Sequence, residues 1–275
     1  MDLRRLTLDD APACESVALD HGWEVGEERW RLMLGLGDGW GVSAPDGRLA
    51  GTTLLFRYDR RLALVAMVLV RKAFGRQGIG RRLVEQALSG APDLTYLYAT
   101  PQGRGLYEQL GFVALEDLAR FTGTFQEHPV PDVARLRPLA PGDLPSAVAL
   151  DAQAFGASRA AVLTALHGCS VRALGAWLGD RLVGYGLATA LAQHVMLGPV
   201  TAVDEDVGLQ LLQALAGGHS RPVRFDAPAG RTRVRAWALR AGLTPDPAAP
   251  LMVLAGRALP GRREWMLAVA SRGLG

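Results

Sequence analysis

The stretch from residue 62 to residue 88, LALVAMVLVRKAFGRQGIGRRLVEQAL, most constrains the fold of this chain. Its first nine residues are uncharged and include three β-branched valines. Such a run is too short to cross a bilayer and predicts a buried strand. From Gly80 onward, apolar side chains recur on one helical face. They are Leu83, Val84, Ala87 and Leu88. The stretch therefore predicts a strand, a glycine-containing turn and a helix.

The turn between this strand and this helix has the properties of an anion site. A helix start leaves backbone N–H groups unpaired and carries a partial positive charge. Gly78 and Gly80 lack a Cβ, so an anion can approach the backbone closely. Arg76, Arg81 and Arg82 add full positive charge around the same turn. A phosphate or pyrophosphate would fit there. An ordinary strand–helix turn gives the same short pattern, so both interpretations stay open at this point.

Composition limits the class of protein. The chain has 275 residues, of which 49% are hydrophobic, which is enough for one large folded domain or two smaller ones. The net charge of +3 is too small to indicate a nucleic-acid binder. Basic residues do cluster between residues 57 and 82, so DNA binding stays open as one hypothesis.

Compartment and genome can also be inferred. Cys14 and Cys169 have no metal-ligand spacing and form no disulfide framework, so we expect no metal and a reduced cytosol. The N-terminal residues MDLRRLTLDD carry acids where a signal peptide needs an apolar core. With no membrane span predicted, we expect a cytoplasmic protein that contacts neither membrane nor nucleic acid. Lys72 is the only lysine, which indicates the coding bias of a GC-rich, bacterial genome.

Strands and helices alternate along the N-terminal half. A helix capped by Thr7 or Asp9 is predicted to run to about residue 20. Further strands are predicted at residues 3–7, 40–44, 49–58, 94–99, 112–114 and 119–125, and helices at 26–36 and 102–110. Residues 127–132 contain two prolines and predict a linker.

The chain then repeats itself. LRRLTLDDAP at 3–12 matches LRPLAPGDLP at 136–145, and DGRLAG at 46–51 matches GDRLVG at 179–184. Both pairs are shifted by 133 residues, and two weaker pairs follow in the same order. A period of this length is typical of domain duplication, not of a solenoid. We therefore predict two tandem domains, at residues 1–128 and 132–275.

Two motifs give the N-terminal half a resemblance to a known family. GRQGIG at 75–80 resembles the pattern Q/R-x-x-G-x-G/A, and LYEQLGF at 106–112 resembles L-Y-x-x-x-G-F. Both patterns belong to the GNAT superfamily of N-acetyltransferases, which residues 1–126 also resemble in their order of elements. One departure is visible, since the first motif position, usually Gln or Arg, is Gly75. The second half resembles the degenerate GNAT-like domain that follows the catalytic domain in some bacterial members.

The resemblance implies an α/β (α+β) fold and a cosubstrate. Each domain would be a mixed, bent sheet with splayed strands 4 and 5, flanked by helices. Acetyl-CoA would place its pantetheine arm in the splay, beside the strand-4 backbone. Its pyrophosphate would sit on the amides of the turn, and no metal is implied. The implied cofactor-binding residues are Val68, Leu69, Val70, Gly75, Arg76, Gln77, Gly78, Ile79, Gly80 and Arg81.

The resemblance also implies a reaction, the direct transfer of an acetyl group to an amine of a small molecule or a peptide. It assigns to Tyr107 the role of the acid that protonates the leaving thiolate. The alternative is that Tyr107 only packs its ring or bonds the thioester sulfur. The sequence does not identify the general base, because the predicted strand 4 carries no carboxylate. The candidates that could border the acceptor cleft are Glu24, Glu27, Glu28, Asp59 and His21. Trp23, Trp30 and Trp40 could wall that cleft or simply pack in the core.

The second copy has lost both motifs. Its counterpart of the glycine turn is VTAVDEDVG at 200–208, which lacks the paired glycines and carries three acids. A pyrophosphate would be repelled there. Ala238, which stands opposite Tyr107 in the repeat, cannot donate a proton. We therefore expect this domain to bind no CoA and to complete the acceptor pocket or stabilise the first domain. The alternating Arg231, Arg233 and Arg235 are predicted to be solvated or to hold an anionic acceptor.

A rival hypothesis from another class is a non-catalytic protein that binds CoA or senses a ligand through the same fold. The missing strand-4 carboxylate favours it, whereas Tyr107 favours the enzyme. The sequence does not identify the acceptor, the preferred acyl group or the oligomeric state, although an oligomer is possible.

Overall fold

The computed structural model describes all residues, Met1–Gly275, which form two compact units. Unit 1 comprises residues 1–113, 252–257 and 274, and unit 2 comprises residues 114–251, 258–273 and 275. None of the helices combines the length and the apolar character that a membrane crossing requires.

Unit 1 contains a mixed sheet and four helices, two early and two late in residues 1–113. Its strands are β1 (Asp2–Leu6), β2 (Asp38–Ser43), β3 (Leu49–Tyr58), β4 (Leu62–Val70) and β5 (Leu94–Tyr98). Its helices are α1 (Ala11–Leu19), α2 (Glu27–Leu36), α3 (Ile79–Leu88) and α4 (Pro101–Gln109). Neighbouring strands follow chain order and are antiparallel, except that β4 and β5 are parallel. The predicted α/β class is confirmed.

The core of unit 1 forms because α3 is amphipathic. Its buried residues Leu83, Val84 and Ala87 belong to one hydrophobic cluster with residues of the sheet. The strands predicted at 49–58 and 62–70 agree with β3 and β4. The burial pattern of β4 confirms the buried strand that its apolar run predicts.

The C-terminal half of the sequence repeats the order of strands and helices of the N-terminal half and adds one short strand near its end. The helices of unit 2 are α5 (Leu144–Phe155), α6 (Ala160–Gly168), α7 (Glu205–Ala216) and α8 (Thr232–Arg240). Its strands are β6 (Phe112–Gly123, of which residues 112–113 belong to unit 1), β7 (Arg135–Pro138), β8 (Ser170–Leu178), β9 (Arg181–Ala190), β10 (Val195–Ala202), β11 (Val223–Pro228), β12 (Thr244–Leu254) and β13 (Met266–Ala268). Within unit 2 the strand order is β12-β6-β11-β10-β9-β8-β7, and β13 pairs with β10.

The last strand of each repeat does not stay with its own half of the sequence. β6, from the N-terminal half, pairs with β11 of unit 2 from Leu118↔Pro228 to Gly123↔Val223. Residues 252–257, from the end of β12, belong to unit 1, and Met252 lies in its core. The two strands predicted at 112–114 and 119–125 are one continuous strand, which corrects that prediction. The sequence division at 1–128 and 132–275 stays a prediction.

Candidate active site

In unit 1, the parallel strands β4 and β5 separate soon after they begin to pair. Their register contains three pairs, from Leu62↔Leu94 to Leu64↔Tyr96. From residue 65 to Val70, β4 has β3 as its paired neighbour. A register shift opposite residues 52–54 marks a bulge, where Met67 has a φ of 52°. The second half of β4 therefore offers one open backbone edge.

The orientation of the Val70 backbone follows from its neighbours. Arg71 N donates to Ala50 O at 2.8 Å, so the pair that precedes it along the ladder, Val70↔Gly51, is not hydrogen-bonded. The N–H and C=O groups of Val70 consequently point away from β3, toward the open edge. His21 Nε2 lies 2.9 Å from the Val70 carbonyl oxygen on that side.

The turn that follows β4 presents unpaired amides. Gly78 is the N-cap of α3, with φ 77° and ψ 0°, and no side chain caps this helix. Arg76 is also left-handed, with a φ of 60°. When residues with a left-handed backbone conformation alternate with right-handed ones, successive N–H groups point toward one place and form an anion-binding nest. A Cβ at Gly78 would meet no atom within 4 Å, so the space in front of this helix end is open.

The arginines of this turn are not equivalent. Arg76 is exposed and makes no ion pair or hydrogen bond within the chain. Arg81 donates to Gln109 Oε1 at 2.7 Å and lies 3.4 Å from Glu85. Arg82 donates to the Met1 carbonyl oxygen at 2.9 Å. The structure thus leaves Arg76 available for a ligand, whereas the other two guanidinium groups already have partners.

Three elements of the predicted site meet at Gly80. A Cβ at this position would lie 3.4 Å from Leu106 Cδ2 and 3.7 Å from Val70 Cγ2. The end of β4, the start of α3 and the later part of α4 therefore converge around Gly80. This convergence brings the two sequence motifs, GRQGIG and LYEQLGF, into contact.

Tyr107 follows Leu106 on α4. Its ring is buried and packs edge-on against Phe112, with centroids 6.1 Å apart. A Cβ at Gly103 would lie 2.8 Å from Tyr107 Cε2, so a glycine at that position makes room for the ring. The hydroxyl has no hydrogen-bond partner in the chain, yet it is not among the fully enclosed unpaired atoms, so solvent reaches it. Burial raises the pKa of Tyr107 to about 12.

The end of α1 is tied to the end of β4. Asp20 Oδ2 accepts from Lys72 N at 2.6 Å, and Arg71 donates to the Ser16 hydroxyl at 2.8 Å. Together with the His21–Val70 contact, these bonds hold the segment after α1 beside the open edge of β4. Of the proposed base candidates, His21 is the one that the structure places at this edge by a direct contact.

The carboxylate candidates lie elsewhere or are solvated. Asp59 sits in the turn between β3 and β4, at the opposite end of β4 from Val70, a span of about 26 Å for nine residues. Glu24, Glu27 and Glu28 are exposed. The sequence alone could not rank these residues, because the side of the sheet that each loop borders depends on packing.

The three tryptophans do not line one cleft together. Trp30 is fully buried and donates from Nε1 to Glu15 at 3.1 Å. Trp40 lies in the core cluster of unit 1. Trp23 is 41% exposed, and its ring centroid is 6.5 Å from that of His21. Only Trp23 therefore accompanies His21.

Unit 2 closes the corresponding places. β10 and β11 pair in parallel at only two positions, Val195↔Val223 and Met196↔Arg224. Beyond them, β13 pairs with β10, and Val269 N donates to Asp226 O of β11 at 2.9 Å. A strand of the chain itself thus occupies the gap between the two strands. The sequence did not reveal this strand, which follows only a short 3₁₀ turn.

The start of α7 is occupied as well. The side chain of Asp204 accepts from Asp206 N at 2.8 Å and caps the helix. Arg233 forms ion pairs with Asp206 and Glu205, and Arg231 donates to the Arg263 carbonyl oxygen. These two arginines therefore have partners, whereas Arg235 is exposed. Ala238 is buried in α8, in the position that Tyr107 has in α4.

Comparison with known proteins gives first the class of this chain, the acetyltransferases, and then its family. Two family models, each described as an acetyltransferase (GNAT) domain, match residues 39–114 and residues 147–268. Together the matches cover well over half of the chain. The chain belongs to the GNAT acetyltransferases, whose members use acetyl-CoA as cosubstrate.

Relatives resemble the chain over nearly its whole length. The uncharacterized N-acetyltransferase YitH of Bacillus subtilis (strain 168) is 29% identical over 259 residues, covering 92% of this chain and 91% of the relative. A protein of Pyrococcus horikoshii described as a proposed acetyltransferase has a TM-score of 0.84 at 22% identity, covering 100% of this chain and 95% of that one. A tandem GNAT protein from the clavulanic acid biosynthesis pathway has a TM-score of 0.65 at 15% identity, covering 94% and 99%.

The residues present suit a CoA thioester. The charge of the exposed Arg76 and the nest at residues 76–80 match a pyrophosphate, and the open edge at Val70 matches an amide-containing arm. No group of three or more His, Cys, Asp or Glu side chains that could hold a metal ion occurs in the structure.

Proposed function

We propose that unit 1 transfers the acetyl group of acetyl-CoA directly to an amine of a small molecule or a peptide, with Tyr107 as the proton donor to the leaving thiolate. The observation that carries this proposal is the convergence at Gly80, which places the open strand edge, the uncapped helix start and the helix of Tyr107 side by side. Acetyl-CoA supplies an acetyl group activated as a thioester.

The cosubstrate is held by groups of β4 and α3. Val68, Leu69 and Val70 present the backbone of β4. The Val70 N–H faces the open edge, whereas the Val70 carbonyl oxygen on that side already contacts His21. The turn formed by Gly75, Arg76, Gln77, Gly78, Ile79 and Gly80 presents its amides. Arg76 adds charge from its exposed position, and Arg81 acts at longer range because Gln109 already accepts from it.

Tyr107 is protonated at any physiological pH, because its pKa is about 12. A thiol has a pKa of about 8.5 in water, so transfer to a solvated thiolate would be uphill by about 3.5 units, or ~5 kcal/mol. Burial raises the pKa of a thiol just as it raises that of a phenol. Tyr107 therefore stabilises the departing sulfur by a hydrogen bond and gives up its proton as the sulfur becomes desolvated.

His21 accepts the proton that the amine loses. Its Nε2 faces a carbonyl oxygen, which can only accept, so Nε2 carries the hydrogen in the neutral ring. The lone pair is then on Nδ1, which makes no hydrogen bond in the structure. An imidazole nitrogen with a free lone pair can accept this proton as a general base.

Unit 2 supports unit 1 and binds no CoA. β13 fills the gap between β10 and β11, and Asp204 caps the helix start where a pyrophosphate would have to lie. The chemistry is thus assigned to the N-terminal motifs.

Thiol release from acetyl-CoA tests the proposal. A panel of small amines and N-terminal peptide amines is offered to the wild type and to Tyr107→Phe, with CoA binding measured separately by calorimetry. At least one amine is expected to support turnover by the wild type, and the variant is expected to bind CoA equally well. If CoA binds but no amine supports turnover, the enzyme function fails and the ligand-sensing alternative replaces it.

A further inference from the structure

One face of the sheet in unit 2 carries a patch of polar side chains. In the pairing of β6 with β11, Arg120 lies opposite Asp226, and Thr122 lies opposite Arg224. Opposed residues, and residues two apart on one strand, point to the same face of a sheet. The phenylalanines between them stack on the other face, with ring centroids 5.1 Å apart.

Asp226 organises this patch. Its side chain is fully buried and accepts from Arg120 Nε at 2.9 Å and from Arg120 Nη2 at 3.1 Å. The segment after β13 brings a second cation, Arg272, whose Nε lies 3.0 Å from Asp226 Oδ1. That contact is an ion pair in which the Arg272 Nε–H is poorly aligned with the carboxylate oxygen.

The patch contains more positive charge and more donors than the chain satisfies. Arg224 Nε, Arg272 Nε and Thr122 Oγ1 are buried and have no hydrogen-bond partner. Desolvation lowers the pKa of both Arg224 and Arg272, and the charge of Arg120 acts in the same direction. Buried polar groups without partners are rare in native proteins and indicate a missing ligand, ion or water.

The acids nearby do not balance these cations. Three guanidinium groups share the buried Asp226, and the other acid that acts on Arg224 and Arg272 is Asp246, which is exposed. The Arg120 and Arg272 side chains keep 21% and 23% of their surface exposed, so a solute can reach them. By contrast, Arg233 in the same unit already has two carboxylate partners.

We propose that Arg120, Thr122, Arg224 and Arg272 form a binding site for the oxyanion group of a small molecule: a carboxylate, a phosphate or a sulfate. Guanidinium groups present planar pairs of N–H donors that match two oxygens of such an anion, and the Thr122 hydroxyl adds a neutral donor. Asp226 fixes the orientation of Arg120 by two hydrogen bonds and forms no ion pair with Arg224. The site is separate from the glycine turn of unit 1 and does not rest on CoA binding.

Sulfate and inorganic phosphate serve as probes. The full-length chain is titrated with each at constant ionic strength, balanced with chloride, and followed by thermal unfolding and calorimetry. Arg224→Gln removes the unpaired guanidinium while Asp226 keeps Arg120. Arg235→Gln is the matched control, because this arginine of unit 2 is exposed and has no partner. Arg76→Asn removes the charge at the turn of unit 1, which also attracts oxyanions.

The wild type, Arg235→Gln and Arg76→Asn are expected to bind the probe saturably, whereas Arg224→Gln loses affinity at least ~10-fold. Without the probe, Arg224→Gln is expected to unfold at the same temperature as the wild type or higher, since a half-buried surplus charge is gone. The isosteric Thr122→Val is expected to weaken binding by a smaller factor. Equal affinity of wild type and Arg224→Gln, loss of all binding in Arg76→Asn, or no saturable binding at all would overturn the proposal.

Discussion

His21 Nε2 lies 2.9 Å from the carbonyl oxygen of Val70, on the edge of β4 that β3 does not cover. This contact joins the segment after α1 to the strand along which acetyl-CoA is proposed to lie. It orients the ring and places a hydrogen on Nε2, so Nδ1 is the nitrogen that we propose as the base. One interaction thus connects a histidine of uncertain role in the sequence to the proposed chemistry.

Replacing His21 by glutamine separates its two roles. The amide nitrogen of Gln can still donate to Val70 O, but the side chain has no basic nitrogen. We expect kcat to fall about 100-fold, in the range of a lost general base, with the KM for acetyl-CoA changed less than about threefold. Steady-state kinetics at fixed pH measures both.

His21→Ala removes both roles and is the companion variant. It is expected to lose at least as much in kcat as His21→Gln and, in addition, some stability. If His21→Gln retains wild-type kcat while His21→Ala is impaired, His21 is only structural and another group takes the proton.

The raised pKa of Tyr107 has a consequence for stability at alkaline pH. The folded protein keeps the phenolic proton up to about pH 12, whereas the unfolded chain loses it near pH 10. The stabilisation is therefore complete below pH 10 and is lost as pH rises from 10 to 12. Between pH 9 and pH 11, the wild type should lose about 1.3 kcal/mol more free energy of unfolding than Tyr107→Phe.

Urea unfolding of both proteins at pH 9, 10 and 11 gives this difference. Because both share every other titrating group, including the buried Tyr185, the comparison isolates Tyr107. Parallel pH curves for the two proteins would show that the Tyr107 hydroxyl is solvated like a free phenol.

Arg76 is expected to contribute binding and not chemistry. Arg76→Asn removes the charge while keeping a residue type that tolerates a positive φ. We expect the KM for acetyl-CoA to rise about three- to tenfold, with kcat unchanged, because one charge opposite the pyrophosphate is lost. The dependence of KM on salt should also become shallower.

Arg61→Gln provides the control for Arg76→Asn. Arg61 is exposed in the turn between β3 and β4, at the end of β4 that lies away from Val70. Its replacement therefore removes one positive charge, as Arg76→Asn does, but far from the glycine turn. An equal rise of KM in both variants would assign the effect to net charge instead of to the turn.

Local sequence patterns predicted the parts of the fold that local interactions determine. The apolar run of β4 and the amphipathic α3 are each specified by neighbours in the chain. The same holds for the glycine turn, since Gly78 adopts the positive φ that its residue type permits.

The rest depends on partners that are distant in sequence. The residues of β6 do not predict that Phe121 lies opposite Phe225. The alternation of apolar and polar residues along a strand determines which face each side chain occupies, but not which strand is its neighbour. The role of His21 depends on Val70, which is 49 positions away. The three-residue strand β13 has too short a pattern to be recognised, although it decides that unit 2 has no open gap.

The central claim is that one of the two repeats, the first, holds acetyl-CoA. Hydrogen–deuterium exchange of the full-length chain, with and without saturating acetyl-CoA, tests it most directly. We expect slower exchange of amides in peptides that cover residues 68–82, and unchanged exchange in peptides that cover residues 195–209. Protection of residues 195–209 without protection of residues 68–82 would contradict it.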